Sequence, residues 1–347
     1  MRLLPDPDAL EFAGAVRELL ASACDAEALR AAWDSALPTK GGSAAGGRVP
    51  GLWKRLTDVG VTGLTVPEEH GGSGMDLTAA VPVLVEAGRA AMPEPLAETI
   101  AGVAFLASAP GALADEWLPR VAAGEAVLAI GNGPDALTMA GQWADLFLLG
   151  GDTHLHALPR DAVDVRAEPA LDRGAGLAVV GWQPDPSTAV DGDDRGAFDT
   201  AVVAVSAQLV GLAQAMLDMS VRYAQQREQF GKPIGSFQAV KHQLADVYVA
   251  NAFALPVVHR AAWSVARTLP SRTRDASHAK HAATLAAERA ARTALQVHAG
   301  IGYTYEHDLH MWMKRTWTLS SMWGDLAFHR TRVGADLLSA APTSRVP

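Results

Sequence analysis

The chain has 347 residues, 49% hydrophobic and 19% charged, with a net charge of −9 and one cysteine, Cys24. That length accommodates two or three domains with an ample core, and the alanine-rich balance favours helix. Net acidity without a basic run excludes nucleic acid as the natural partner, and one cysteine excludes an internal disulfide or a cysteine-built metal site. Such cysteine usage fits a reducing, cytoplasmic setting. The opening residues MRLLPDPDALEF place acids and prolines where a signal peptide needs a continuous apolar core. No uninterrupted apolar run approaches the roughly eighteen residues of a membrane span.

In chain order, residues 6–34 carry Leu10, Phe12, Val16, Leu19, Leu20 and Leu29 at helical spacing, with Asp6 or Asp8 able to cap. They predict an amphipathic helix or helix pair. Residues 38–50 are rich in Gly, Ser and Ala and predict a mobile loop. A short helix at 52–58 leads into GLTVPEEHGGSG at 63–74. That run lacks the Gly-Lys-Ser/Thr ending of a phosphate loop and no strand precedes it, so a chain-redirecting turn is the better reading. Residues 82–91 and 95–108 continue the helical pattern.

From 126 to 188 short apolar runs (127–130, 146–149, 155–158, 177–181) alternate with Gly, Asp and Pro, as strands joined by tight turns do. Helix then returns over 199–226, 236–269, 275–300 and 308–338. Long helices with short breaks predict an antiparallel bundle, a common oligomerising surface. The expected fold is therefore α+β: an N-terminal helical domain (1–124), a small middle β-domain (125–195) and a C-terminal four-helix bundle (196–347).

Two stretches carry more chemistry than a turn needs. Between the first two bundle helices, Gly231, Pro233 and Gly235 supply the break, yet Arg227, Gln229, Phe230 and Gln238 crowd around them. A forked guanidinium, amides and an aromatic suit a ligand with phosphates and a flat ring. The second stretch, ALQVHAGIGYTYE at 294–306, ends a helix. Its glycines follow a helix and not a strand, which excludes a Rossmann fingerprint. Taken alone, Gly300 is a helix C-cap and Tyr303 a core aromatic. His307 and His310 are three apart, but with His298 they offer no recognisable third ligand spacing, and no metal site is assigned.

RYAQQREQFGKPIGSFQAVKHQLAD at 222–246 closely resembles the signature of the acyl-CoA dehydrogenase family, flavoproteins that desaturate acyl-CoA thioesters. GLTVPEEHGGSG resembles that family's N-terminal element, and residues 116–125 match its handover from the first helical domain to the middle one. The 294–306 stretch resembles its Gln-x-x-Gly-Gly-x-Gly-Phe/Tyr segment. The resemblance implies that Arg227, Gln229 and Phe230, with Gln238 beside them, reach across a subunit interface to a neighbour's FAD. It implies that Gln296 and Gly300 contact the adenosine diphosphate part.

The departures from the family are as informative. Its middle-domain loop and strand that hold the flavin ring have no match beyond Gly-Asn-Gly-Pro-Asp at 131–135. Its two alternative positions for the glutamate base fall, without gaps, on Ala201 and Trp323, neither of which accepts a proton. Asp199, Asp325, Glu306 and Asp308 are the nearby carboxylates. Two residues on a helix is about 200° of rotation, which turns Asp199 and Asp325 away from the positions of Ala201 and Trp323. N-capping is the expected role of Asp199.

The pattern implies a subunit that lacks its own base and completes the FAD site of a catalytic partner in an α2β2 assembly. Such assemblies within the family include ones acting on steroid side-chain CoA thioesters in actinobacteria, with electron-transfer flavoprotein as the expected acceptor. A homomeric dehydrogenase with a displaced carboxylate and a flavin-free scaffold or acyl-CoA binding subunit remain the alternatives at this level.

Overall fold

A computed structural model describes residues 5–36, 46–131, 136–150 and 154–339. Most of the loop expected at 38–50 and most of the 131–135 run lie outside those residues.

The first part is helical: α1 (Pro7–Ala23), α2 (Ala26–Ser35), α3 (Leu52–Asp58), α4 (Leu77–Arg89), α5 (Leu96–Ser108) and α6 (Ala112–Ala122). Asp6 caps α1 by accepting the Asp8 N–H, and Asp25 starts α2 by accepting that of Ala28. The opening amphipathic stretch is thus a helix pair. GLTVPEEHGGSG is a turn around a single 3-10 helix, Glu68–His70.

The middle part holds two small sheets. One orders β1 (Leu128–Gly131), β3 (Leu146–Gly150), β4 (Leu155–Pro159) and β7 (Ala189–Val190), with β1 and β3 parallel. The other orders β2 (Leu137–Thr138), β6 (Ala178–Gly181) and β5 (Asp164–Ala167). Leu146 and Leu148 of β3 pack on the α5–α6 core, whereas Phe147 and Leu149 pack on the second sheet. Burial on both faces is why β3 reads as an unbroken apolar run. Gly102 of α5 permits the contact with β1, since a Cβ there would sit 2.7 Å from Leu128.

The last part comprises α7 (Asp194–Gln226), a hairpin of β8 (Glu228–Gln229) and β9 (Lys232–Pro233), α8 (Gln238–Ala266), α9 (Arg272–His298), α10 (Leu309–Ser321) and α11 (Leu326–Ser339). α7 and α9 run parallel, since Asp199 meets Thr273 near their starts and Tyr223 meets His298 near their ends. A stripe of buried alanines on α9, from Ala276 to Ala294, lets its neighbours approach closely. By length and composition α7 could cross a membrane, but 94% of its apolar window is buried inside the protein. An apolar stretch long enough to span, which counting uninterrupted runs misses, is here a core helix apolar all round.

Two expectations need correction. Asp199 does not cap α7: the helix begins earlier, with Asp193 accepting the Gly196 N–H at 2.9 Å while Arg272 grips both Asp193 oxygens. Asp199 lies inside the helix, fully buried. The run at 308–338 is two helices, because Trp323 (φ 60) and Gly324 (φ 96) adopt left-handed backbone and end the ladder. Asp325 then caps α11 through the Phe328 N–H at 2.8 Å.

Gly211 of α7 lies against the Val85 carbonyl of α4, and Gly88 of α4 against the Gln208 carbonyl of α7, so each helix needs a bare backbone at the crossing. Gly211→Ala must force the helices apart, costing roughly 3 kcal/mol, the upper end of core overpacking. A lowered urea midpoint checks this, and an unchanged one contradicts the crossing.

Candidate functional site

The chemistry-rich stretch at 227–238 is a projecting hairpin. Gln229 pairs with Lys232, which leaves Phe230 and Gly231 as a two-residue loop with φ of 54 and 76. Positive φ at both positions is the I′ geometry that normally selects Asn-Gly. Here its first position is a phenylalanine, and Phe230 is 91% exposed. A bulky apolar residue held in left-handed backbone and in water is unfavourable twice over, which points to use in an interface. Arg227 is exposed and has no ion pair among the described residues. Gln229 and Gln238, at the start of α8, are exposed too.

At the end of α9, Gln296 and Gly300 are exposed. The C-cap is Ala299 (φ 52), one residue before the glycine expected there. Around Gly300 a Cβ would meet nothing within 4 Å among the described residues. Tyr303 is no core aromatic, being 76% exposed. The fold brings the two stretches to one corner, because Tyr223, one turn before Arg227, stacks on His298, which lies between Gln296 and Gly300. A free guanidinium, amides, an aromatic and a bare turn there fit the diphosphate and adenine end of FAD.

The positions aligned with a catalytic base are also brought together, Ala201 in a buried core and the half-buried Trp323 packed against it. Ala201 is 1% exposed in the core cluster of α5, α6 and the first sheet, and Trp323 packs against that same cluster. The Trp323 ring lies edge-on to Phe198 at 5.7 Å, and its carbonyl engages His329 Nε2 at 2.9 Å. Buried Lys280 donates to the carbonyls of Ser320, Met322 and Gly324 at 2.9–3.1 Å, which fixes the break that presents Trp323.

Three of the four substitute carboxylates are engaged. Asp199 accepts from Thr273 at 2.7 Å on one oxygen and from Arg332 at 3.3 Å on the other. Burial pushes its carboxyl upward, while Thr273, Arg332 and Arg272 pull it back down. Asp325 caps α11. Asp308 is paired with Arg30 at 2.6 Å, and Glu306 is exposed.

Among the described residues, the seam between the middle sheets and the helices is tightly filled around Arg315. Arg315 of α10 is buried there, donating to the carbonyls of Met92 and Gly174 and pairing with Asp172 at 2.6 Å. Glu94, held by Arg48, and the buried Glu98 line the same spot. Between them is a void of about 10 Å³, room for one water and not for an isoalloxazine ring. Sequence reasoning missed Arg315 and Lys280, because charged residues on amphipathic helices are by default solvent-facing. Among the described residues no three His, Cys, Asp or Glu side chains converge on a metal position.

Two family models match the chain: "Acyl-CoA dehydrogenase, N-terminal domain" over residues 7–125 and "Acyl-CoA dehydrogenase, C-terminal domain" over 195–338. The chain belongs to the acyl-CoA dehydrogenase family. It is 37% identical over 291 residues to the acyl-CoA dehydrogenase IpdE2 of Mycolicibacterium smegmatis, covering 83% of this chain and 86% of that one. It is 28% identical to the acyl-CoA dehydrogenase FadE27 of Mycobacterium tuberculosis, covering 82% and 87%. Among solved structures, a chain of the ChsE4-ChsE5 complex from Mycobacterium tuberculosis superposes with a TM-score of 0.83 at 26% identity, covering 99% of this chain and 100% of that one.

His329 offers a check on the packing around Trp323. Burial and the nearby Lys280 push its imidazole from 6.5 down to about 4, and its Nδ1 is buried without a partner among the described residues. The unfolded chain takes up this proton at higher pH than the folded one, so stability is lost as pH falls from 6.5 towards 4. His329→Gln lacks that contribution. The gap in unfolding free energy between wild type and variant should therefore narrow over this range, and a pH-independent gap contradicts the burial of the ring.

Proposed function

We propose that this chain is the half-site subunit of a heteromeric acyl-CoA dehydrogenase, most simply α2β2, which completes the FAD pocket of a catalytic partner chain. The observation that carries the reading is a division within the fold. Residues suited to the adenine and diphosphate end of FAD stand exposed at one corner, while the base positions are apolar, Ala201 buried in a core and the half-buried Trp323 packed against it. FAD bound there supplies the hydride acceptor for acyl-CoA desaturation. This chain's part is to bind: Arg227 neutralises the diphosphate, Phe230 offers a flat face, and the amides of Gln229, Gln238 and Gln296 fix orientation. The α-proton is removed by a carboxylate of the partner, since Asp199 has both oxygens occupied here.

The likeness to a chain of the ChsE4-ChsE5 complex supports a heteromeric assembly. The resemblance to heteromeric members points to a steroid side-chain CoA thioester as the partner's substrate and to electron-transfer flavoprotein as the electron acceptor. The test uses the tagged chain purified from its own host with whatever partner it retains. In that complex Arg227→Ala should weaken FAD by at least about tenfold, the scale of one charge-assisted hydrogen bond. Unchanged flavin content in the Arg227→Ala complex contradicts the cofactor role and favours a flavin-free scaffold.

A further inference from the structure

The hairpin bearing Arg227 and the turn bearing Gln296 and Gly300 belong to different helices, yet one bound dinucleotide has to meet both at once. Directly beneath them lies a group of three aromatic rings. Tyr223 and His298 are stacked with centroids 4.4 Å apart and planes 27° apart. His307, on the loop before α10, stands edge-on to both, at 4.5 Å from His298 and 6.3 Å from Tyr223.

We propose that Tyr223, His298 and His307 are positioning residues for FAD binding, a ring clasp that sets the spacing of the Arg227 hairpin against the Gln296–Gly300 turn. The inference rests on the half-site reading and deepens it. Each ring is tied to what it would position. The Tyr223 carbonyl accepts the Arg227 N–H at 2.8 Å, and the Arg227 carbonyl accepts that of Ile234, which closes the hairpin base. His298 donates from Nδ1 to the Ala294 carbonyl at 2.8 Å, which fixes the orientation of its ring on α9. The following turn presses on it: a Cβ on Gly302 would lie 3.1 Å from His298 Cβ. His307 accepts the Leu309 N–H at Nδ1, which joins the start of α10 to the group.

A leucine at 298 or 223 could fill the same space but could not enforce a plane. Near-parallel overlap of two rings restricts how α7 and α9 rotate about their own axes, and that rotation decides where Arg227 and Gln296 point. The edge-on His307 closes the third side, so the stack cannot slide without moving the 304–308 loop.

The experiment compares Tyr223→Leu, Tyr223→Phe and His307→Leu in the partner-bound complex, reading the FAD dissociation constant by flavin fluorescence and amide exchange over residues 227–236. Tyr223→Leu and His307→Leu should each weaken FAD about tenfold and speed exchange in the hairpin, whereas Tyr223→Phe, which keeps the ring, should match wild type. His307 lies outside both helices, so its variant decides the matter if Tyr223→Leu fails to assemble. Wild-type FAD affinity in an assembled His307→Leu complex, or a loss in Tyr223→Phe equal to that in Tyr223→Leu, overturns the clasp. Arg227→Ala separates the two levels. Flavin lost there but kept in the leucine variants overturns the clasp alone, and flavin kept in all of them overturns the half-site reading beneath it.

Discussion

The arrangement of the three parts depends on one buried guanidinium. Arg315 leaves α10 with two carbonyls and a carboxylate as partners, one carbonyl from the end of the α4 region and the other groups from the middle part. Burying a charge is unfavourable unless it is paired and hydrogen-bonded, and removing one member strands the other. Here three buried acids, Asp172, Glu94 and Glu98, share the neighbourhood, and burial pushes each carboxyl upward against the pull of the nearby arginines. The tie therefore fixes the middle sheets onto the helices and leaves almost no space around Arg315.

Lys280 plays the corresponding part at Trp323. Its three carbonyl bonds stabilise a left-handed break at which Trp323, and not an acid, faces the core shared with Ala201. Packing is thus favoured at the positions that the resemblance aligns with the family's base. The exposed corner shows the opposite preference: Phe230 takes an unfavourable backbone and an unfavourable environment, and Arg227 is left unpaired among the described residues. Stability concentrated at one end and withheld at the other is what the proposed half-site requires.

Much of this was legible in the sequence because it follows from periodicity and turn chemistry. Helical spacing located α1, α2 and the bundle, and short apolar runs between Gly, Asp and Pro located the sheets. The exposed residues of the 227–238 stretch stood out because their chemistry exceeds what a hairpin needs. What escaped was set by tertiary contacts. The α10–α11 break is made by Lys280 from a distant helix, and Trp323-Gly324 alone carries too weak a stop signal. Asp199 looked like a cap because the true cap, Asp193, sits in a run of aspartates in which composition does not distinguish first from last. The stack of Tyr223 on His298 joins residues far apart in the chain, and neither helix alone announces it.

The most direct measurement of the central claim is a flavin count on the intact complex, with subunit stoichiometry from native mass spectrometry. Division of one pocket between two kinds of chain predicts one FAD for each pair of unlike chains and none on this chain when it is purified alone. A lone chain that carries one FAD of its own and reduces an artificial acceptor with an acyl-CoA contradicts it.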